Sequence, residues 1–253
     1  MAQMTGKVVV VTGAAVGIGR ATAVAFGREG AKVVVNYSKS RKEAEETANL
    51  VEKAGGEPLA LSADVSQDRQ VRSMVTQIVD CFGGIDVLVN NAGITAFVDF
   101  SDLEGLTDDV WDRLYNVNVK GTFFCCRAVA TPMRKQGHGR IINVASVAGL
   151  STQGSSIAYC TSKAAVIHLS KCLARTLAPE IRVNVIAPGF IGETRWNVGR
   201  PNLETTIQKA IQAAPLKRAG KPEDIAEAAL FLATRADFMT GDVMVVDGGR
   251  AMG

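Results

Sequence analysis

Seven short apolar runs constrain the fold of this chain more than any other feature of its sequence. They are "KVVVV" (7–11), "KVVVN" (32–36), "PLALS" (58–62), "DVLVN" (86–90), "RIINV" (140–144), "RVNVIA" (182–187) and "VMVVD" (243–247). Each has the length of a strand and is apolar almost throughout rather than at every second position, the pattern of strands covered on both faces. Between them lie segments with helical spacing at about 18–29, 40–54, 67–82, 108–135, 157–178 and 222–234. Strands alternating with helices in this way predict an α/β fold, a single doubly wound parallel sheet of about seven strands with helices on both faces and right-handed crossovers. The 253 residues suffice for one large domain spanning 1–253. A long irregular stretch, "GFIGETRWNVGRP" (189–201), follows the sixth run and is a candidate lid within a substrate-loop region of about 189–215.

Charge and cysteine usage exclude several functions. Lys and Arg number 28 against 25 Asp and Glu, and both signs mix in stretches such as "KSRKEAEE" (39–46). No basic stripe suggests nucleic acid, and nothing suggests an anionic membrane surface. The five cysteines, Cys81, Cys125, Cys126, Cys160 and Cys172, are odd in number and sit mostly in apolar or helical runs, which predicts reduced thiols rather than a disulfide framework. The adjacent Cys125 and Cys126 read as helix packing, and with only His138 and His168 available no metal site is expected. The opening "MAQMTGKVVVVTG" lacks a leader pattern, and no run approaches the roughly 20 apolar residues of a spanning helix. A soluble, cytoplasmic protein is expected.

Two local patterns carry chemistry. Directly after the first run comes "TGAAVGIGR", with Gly13, Gly17 and Gly19. A strand feeding a glycine turn that opens a helix presents backbone N–H groups and the positive helix end to a pyrophosphate, so nucleotide binding is expected here. The second pattern is "YCTSK": Tyr159 and Lys163 are four apart, on one helix face if the segment is helical. Taken alone, that pair reads first as an ordinary surface contact, Asn118 as a residue bonding its own helix and Ser146 as a strand-end cap, while a cap for a helix beginning near Ser66 is the lesser reading of Asp64.

The ordered set resolves them. The spacing G-x-x-x-G-x-G at 13–19, "NNAG" (90–93), Asn118 in "NVNVKG", Ser146 in "NVASVAG", the Tyr159/Lys163 pair and Pro188-Gly189 together resemble the short-chain dehydrogenase/reductase family in its single-domain, Rossmann-type form, from Gly6 through "VDGG" (246–249). The resemblance implies a catalytic set of Asn118, Ser146, Tyr159 and Lys163: Tyr159 as acid and base, Ser146 bonding the same substrate oxygen, Lys163 lowering the tyrosine pKa and holding the ribose, and Asn118 helping to keep a water relay behind Lys163. It further implies cofactor contacts at Gly13, Gly17, Ile18, Gly19, Asn36, Ser38, Asp64, Val65, Asn91, Ala92, Gly93, Pro188, Gly189 and Ile191, shared with Tyr159 and Lys163. A phenol titrates near 10 unperturbed, so a neighbouring cation suits it to work near neutrality.

Cofactor choice turns on the end of the second run, where NAD-preferring relatives place an acid against the ribose 2′-hydroxyl. Here stands Asn36, followed by Tyr37, Ser38, Lys39, Ser40 and Arg41, hydroxyls and cations suited to a phosphate. NADP(H) is therefore the expected cofactor, with NAD(H) possible. In many relatives a Thr completes "PGxxxT"; in "PGFIGET" Thr194 comes one residue later. The pattern is similar to 3-oxoacyl-carrier-protein reductases and to glucose and other secondary-alcohol dehydrogenases, implying a small-molecule carbonyl or alcohol substrate. A non-catalytic NADP-sensing protein is the alternative of a different class. Family members are commonly tetramers, so a homo-oligomer is expected, with 108–135 and 157–178 packing between subunits.

Overall fold

The computed structural model describes residues 3–192, 194, 195, 198 and 202–252. Its strands are β1 (Val8–Val11), β2 (Lys32–Tyr37), β3 (Glu57–Ser62), β4 (Val87–Asn90), β5 (Gly139–Val144), β6 (Ile181–Pro188) and β7 (Val243–Val246), in the order β3-β2-β1-β4-β5-β6-β7. Every pairing is parallel. The helices are α1 (Gly17–Arg28), α2 (Arg41–Lys53), α3 (Asp68–Phe82), α4 (Asp108–Leu114), α5 (Thr122–Gln136), α6 (Ile157–Leu177), α7 (Leu203–Ala213) and α8 (Pro222–Thr234). The Rossmann-type sheet expected from the seven runs is the fold observed.

The unbroken apolar runs follow from helices on both faces. Alternate strand residues Val9, Val11, Val33, Val35, Val87, Val89, Ile142 and Ile186 pack with Phe26 of α1, Val51 of α2 and Ile225 and Leu232 of α8. Their neighbours Val8, Val10, Val34, Leu88, Ile141, Ile181 and Val183 point the other way, against Met74 and Ile78 of α3, Met133 of α5 and Leu177 of α6. The outer strands β3 and β7 are less completely buried, and β3 alone among the strand interiors carries a proline, Pro58, tolerable on an edge.

Two expectations need correction. The helix expected over 108–135 is three pieces, α4, a π-helical turn (Tyr115–Gly121) and α5; helical periodicity does not distinguish a widened turn from an α-turn. The region 189–215, expected to be a substrate loop, contains α7, whose first turn carries Glu204. Glu193, Trp196, Arg200 and Pro201 of the lid candidate lie outside the described residues.

Phe26 is fully buried at the junction of α1 with the sheet. Phe26→Ala should lower the free energy of unfolding by about 3–5 kcal/mol in a urea titration; a loss under about 1 kcal/mol would show that α1 is not cemented to the sheet through this ring.

Candidate active site

Because all seven strands are parallel, their carboxyl ends share one edge of the sheet. The chain turns outward in both directions beside β1, which lies between β2 and β4, and this reversal opens a crevice at the carboxyl edge. Residues 13–19, 36, 64, 91–93, 146 and 188–189 all lie at or just beyond strand ends on that edge.

The glycine loop is built for close approach. Gly13 (φ +62°) and Gly17 (φ +56°) occupy the left-handed region, and a Cβ on Gly13 would stand 2.9 Å from Ala92 Cα. A Cβ on Gly19 would collide with the Gly13 carbonyl and stand 2.6 Å from Asn91 Nδ2. Thr12 Oγ1 accepts from the N–H groups of Asn91 and Ala92, both at 3.0 Å, while Asn91 Nδ2 donates to the carbonyls of Thr12 (3.0 Å) and Gly13 (3.1 Å). Val16, before α1, makes no side-chain cap, and the first turn holds no acid. That leaves the leading N–H groups and the positive helix end for an anion, a fit to the diphosphate of a dinucleotide. Ile18, the second residue of α1, packs partly into the core beneath.

Asn36, read as the ribose-discriminating residue, is bound into the fold around the glycine loop. Asn36 is 1% exposed; its Oδ1 accepts from Gly13 N at 3.3 Å, and its Nδ2 donates to Leu61 O (3.3 Å) and Ala63 O (3.1 Å). The amide ties the glycine loop to the ends of β2 and β3. β2 runs one residue further, to Tyr37, which is on the face of Val33 and Val35 beside α1; Ser38 and Lys39 beyond it are exposed. Asp64 lies two residues beyond β3, which ends at Ser62. Its Oδ1 accepts from Ser66 N (2.9 Å) and Ser66 Oγ (2.7 Å), bracing the turn before α3. Val65 is buried in the core, where a Cβ on Gly121 would meet its side chain at 2.9 Å.

Ser146, Tyr159 and Lys163 converge. Ser146 lies two residues beyond β5, where its Oγ accepts from Ala148 N at 3.1 Å and opens a short 3-10 turn (Val147–Gly149). The Tyr159 phenol, in the first turn of α6, hydrogen-bonds the Ser146 side chain. Lys163 Nζ stands 5.9 Å from the centre of the Tyr159 ring and donates to Val144 O at 3.0 Å. Tyr159 and Lys163 are 7% and 5% exposed. Burial pushes the phenol above its ordinary value, with the Ser146 hydrogen bond pulling the other way, and pushes the lysine down to about 8. In this geometry burial, not Lys163, dominates the phenol, and both groups are biased toward their uncharged forms.

Asn118 sits in the π-helical turn with its side chain inward. Its Oδ1 accepts from Ile94 N (2.9 Å), and its Nδ2 donates to Ile94 O (3.0 Å) and Ser162 Oγ (3.1 Å). A Cβ on Gly93 would stand 3.3 Å from Asn118 Oδ1 and 3.5 Å from Lys163 Nζ, so Gly93 is the point where the two meet. Pro188 ends β6, Gly189 faces Asp247, and Ile191 is turned into the core at 8% exposed. A cavity of about 320 Å³ beside β6 and β7, lined by Phe190, Ile191, Leu216 and Val246, includes none of Ser146, Tyr159 or Lys163. Ile94, Ala96, Leu106, Trp111 and Cys160 instead pack beside Tyr159.

Three positioning residues escaped the sequence reading. Ser156 accepts from Tyr159 N at 3.2 Å and caps α6, fixing where the phenol begins its turn; a serine before an apolar helical run was the available signal. Thr12 and Ser162 bind, respectively, the "NNAG" backbone and Asn118, and no local pattern marks either. Among the described residues no three His, Cys, Asp or Glu side chains gather as a metal site, and no helix is long and apolar enough to cross a membrane.

The buried amine has a consequence for stability. Below about pH 8 both folded and unfolded Lys163 are protonated, and the folded state carries the full cost of burying the cation. Between about 8 and the ordinary 10.5 only the folded state has lost its proton, so the cost is relieved as pH rises. Lys163→Met should therefore be more stable than the parent chain at pH 7, by on the order of 2 kcal/mol, with the advantage shrinking toward pH 10.5. A pH-independent difference between the two denaturation curves would show that burial does not hold the amine in this way.

The chain matches the family model described as Enoyl-(Acyl carrier protein) reductase over residues 13–251. It is 40% identical over 255 residues to the 3-oxoacyl-[acyl-carrier-protein] reductase of Synechocystis sp., covering 100% of both chains. Among solved structures it resembles a short-chain type dehydrogenase/reductase from Mycobacterium marinum (TM-score 0.89, 35% identity, 100% of this chain and 98% of that one). It also resembles a gluconate 5-dehydrogenase from Burkholderia cenocepacia in complex with NADP and tartrate (TM-score 0.91, 31% identity, 100% and 98%). The chain belongs to the short-chain dehydrogenase/reductase family and is an NAD(P)-dependent oxidoreductase of ketone reductase type.

Proposed function

We propose that this chain is an NADP(H)-dependent reductase of 3-oxoacyl thioesters or closely related ketones, with Asn118, Ser146, Tyr159 and Lys163 as its working residues. The observation that carries this reading is the convergence of the Ser146 and Tyr159 hydroxyls beside Lys163, at the sheet edge that also holds the glycine loop. When bound, the nicotinamide supplies the hydride. The two hydroxyls hold the substrate carbonyl oxygen between them, and the Tyr159 O–H gives that oxygen its proton as it becomes an alcohol. Lys163 as an ammonium stabilises the resulting phenolate, and Asn118 acts through the Ile94 backbone and Ser162 to hold that corner in place. The apolar group of Ile94, Ala96 and Trp111 suits an acyl chain beside the phenol.

The NADP preference rests on the hydroxyls and cations after β2, where no acid would repel a 2′-phosphate. The NADP complex of the gluconate dehydrogenase neighbour is consistent with it. That neighbour also favours a second reading, a sugar or secondary-alcohol dehydrogenase. It predicts turnover of gluconate-like polyols with NADP⁺ and none of 3-oxoacyl thioesters.

Two variants test the proposal. In NADPH oxidation against 3-oxoacyl thioesters and simple ketones, Tyr159→Phe should lose about 10²–10⁴-fold in kcat while still binding NADPH; retained turnover would remove Tyr159 from the proton step. Binding of NADPH without turnover in either direction by the parent chain would point to the sensor alternative. Tyr37→Asp should swing the ratio of kcat/KM for NADPH over NADH toward NADH by about tenfold or more, through like-charge repulsion of the 2′-phosphate. A parent chain that uses both cofactors equally would sink the stated preference.

A further inference from the structure

The apolar face of the sheet that packs on α3, α5 and α6 carries a polar interruption between its central strands. Asn90 of β4 and Asn143 of β5 stand opposite each other in register, on the same side as Leu88 and Ile141. Asn90 Nδ2 donates to Asn143 Oδ1 at 2.9 Å and to Cys126 Sγ of α5 at 3.2 Å. The Cys126 thiol donates to the same Asn143 oxygen at 3.7 Å. Asn143 Nδ2 donates onward to Ser170 Oγ of α6 at 2.8 Å, and the Ser170 hydroxyl donates to Val166 O at 2.7 Å. Cys126, Asn143 and Ser170 are fully buried, and Asn90 is nearly so.

Two amides and a hydroxyl in an apolar core add little stability, because each hydrogen bond made there replaces one lost to water. What the cluster supplies is direction. Hydrophobic burial is non-directional, whereas a connected set of hydrogen bonds closes at one register. The four elements that meet at this cluster are also the four that deliver the site. β4 leads into Asn91 and Gly93, and β5 leads into Ser146. α5 follows directly on the π-helical turn that holds Asn118, and α6 carries Tyr159 and Lys163. α6 is tied to β5 at two points about two turns apart, Lys163 Nζ on Val144 O and Ser170 Oγ under Asn143 Nδ2. The first tie is made by a working residue, so the second is the one that holds the helix independently of the chemistry.

We propose that Asn143 and Ser170, with Asn90 and Cys126 behind them, are positioning residues that set the placement of α6 along β5 and so hold the Tyr159 hydroxyl against Ser146. They act through the helix and not on reacting atoms. The inference rests on the reading of Ser146, Tyr159 and Lys163 as the working site.

The test follows kcat in NADPH-driven reduction of 3-oxoacyl thioesters and simple ketones, NADPH affinity by fluorescence, and the urea midpoint. Ser170→Ala leaves the buried Asn143 amide without its acceptor. It should lower the urea midpoint and lower kcat by about tenfold or more, the scale set by a small misplacement of reacting groups, with NADPH affinity unchanged. The double variant Asn143→Leu with Ser170→Ala removes both partners, so its urea midpoint should return most of the way to that of the parent chain while its kcat stays low. A parent-like kcat in Ser170→Ala, an NADPH affinity that falls as far as kcat, or a double variant whose kcat recovers together with its midpoint overturns the positioning role and leaves the site reading intact. A parent chain that turns over none of these ketones in either direction, or that turns over as fast as Tyr159→Phe, overturns the site reading and this inference with it.

Discussion

Parallel pairing of every strand obliges each connection to cross the sheet, so helices accumulate on both faces and both faces must be apolar. This is why the strands read as valine and isoleucine runs with no polar face. It is also why the functional groups gather: parallel strands place all their carboxyl ends on one edge, and every loop that leaves that edge can contribute to one crevice. The helices beneath the site are held by clusters on opposite faces, with α1 and α8 on one and α3, α5 and α6 on the other. Tyr159 and the glycine loop are consequently presented by elements whose positions are set by independent parts of the core.

Within that frame, close backbone approach does the fine positioning. Gly13 against Ala92, Gly19 against Asn91, Gly121 against Val65 and Gly149 against the backbone of α6 are all places where a Cβ would stand 2.9 Å or less from a neighbour. Two of these seat the glycine loop on the "NNAG" turn, and the other two seat the π-helical turn and the Ser146 turn against their neighbours. Buried polar side chains then lock the arrangement. Asn36, Thr12, Asn91 and Asn118 each bond backbone groups on a different element, satisfying polar groups that burial would otherwise leave unpaired.

How much of this was legible in the sequence depended on whether the signal was local. The strands and every helix but α7 were, although α4 and α5 were read as one, because periodicity and run length are properties of contiguous residues. The π-helical turn was not, since Tyr115–Gly121 has no composition that separates it from the helices on either side. Helix α7 was also missed, its segment being short and preceded by residues that read as irregular. At the site, the resemblance located Ser146, Tyr159 and Lys163, and the structure brings them together. The structural engagement of Asn36 was illegible for a long-range reason: its amide partners, Gly13, Leu61 and Ala63, lie 23 to 27 residues away, and nothing in "VVVNYS" announces them.

The buried lysine shows where fold and function pull in opposite directions. A methionine would fill the Lys163 position without desolvating a charge, and replacing buried ionic groups by apolar ones of similar size is often stabilising. The chain instead keeps an amine at 5% exposure that donates to Val144 O. The same burial that brings Lys163 down to about 8 pushes the Tyr159 phenol up, so at neutral pH the phenol is neutral and the ammonium is held at a cost. A negative charge appearing on the Tyr159 oxygen would then hold the proton on Lys163 more tightly, because the low-dielectric surroundings that disfavour either charge alone strengthen the attraction between them. Burial, a cost to the fold, is thereby what couples the two groups.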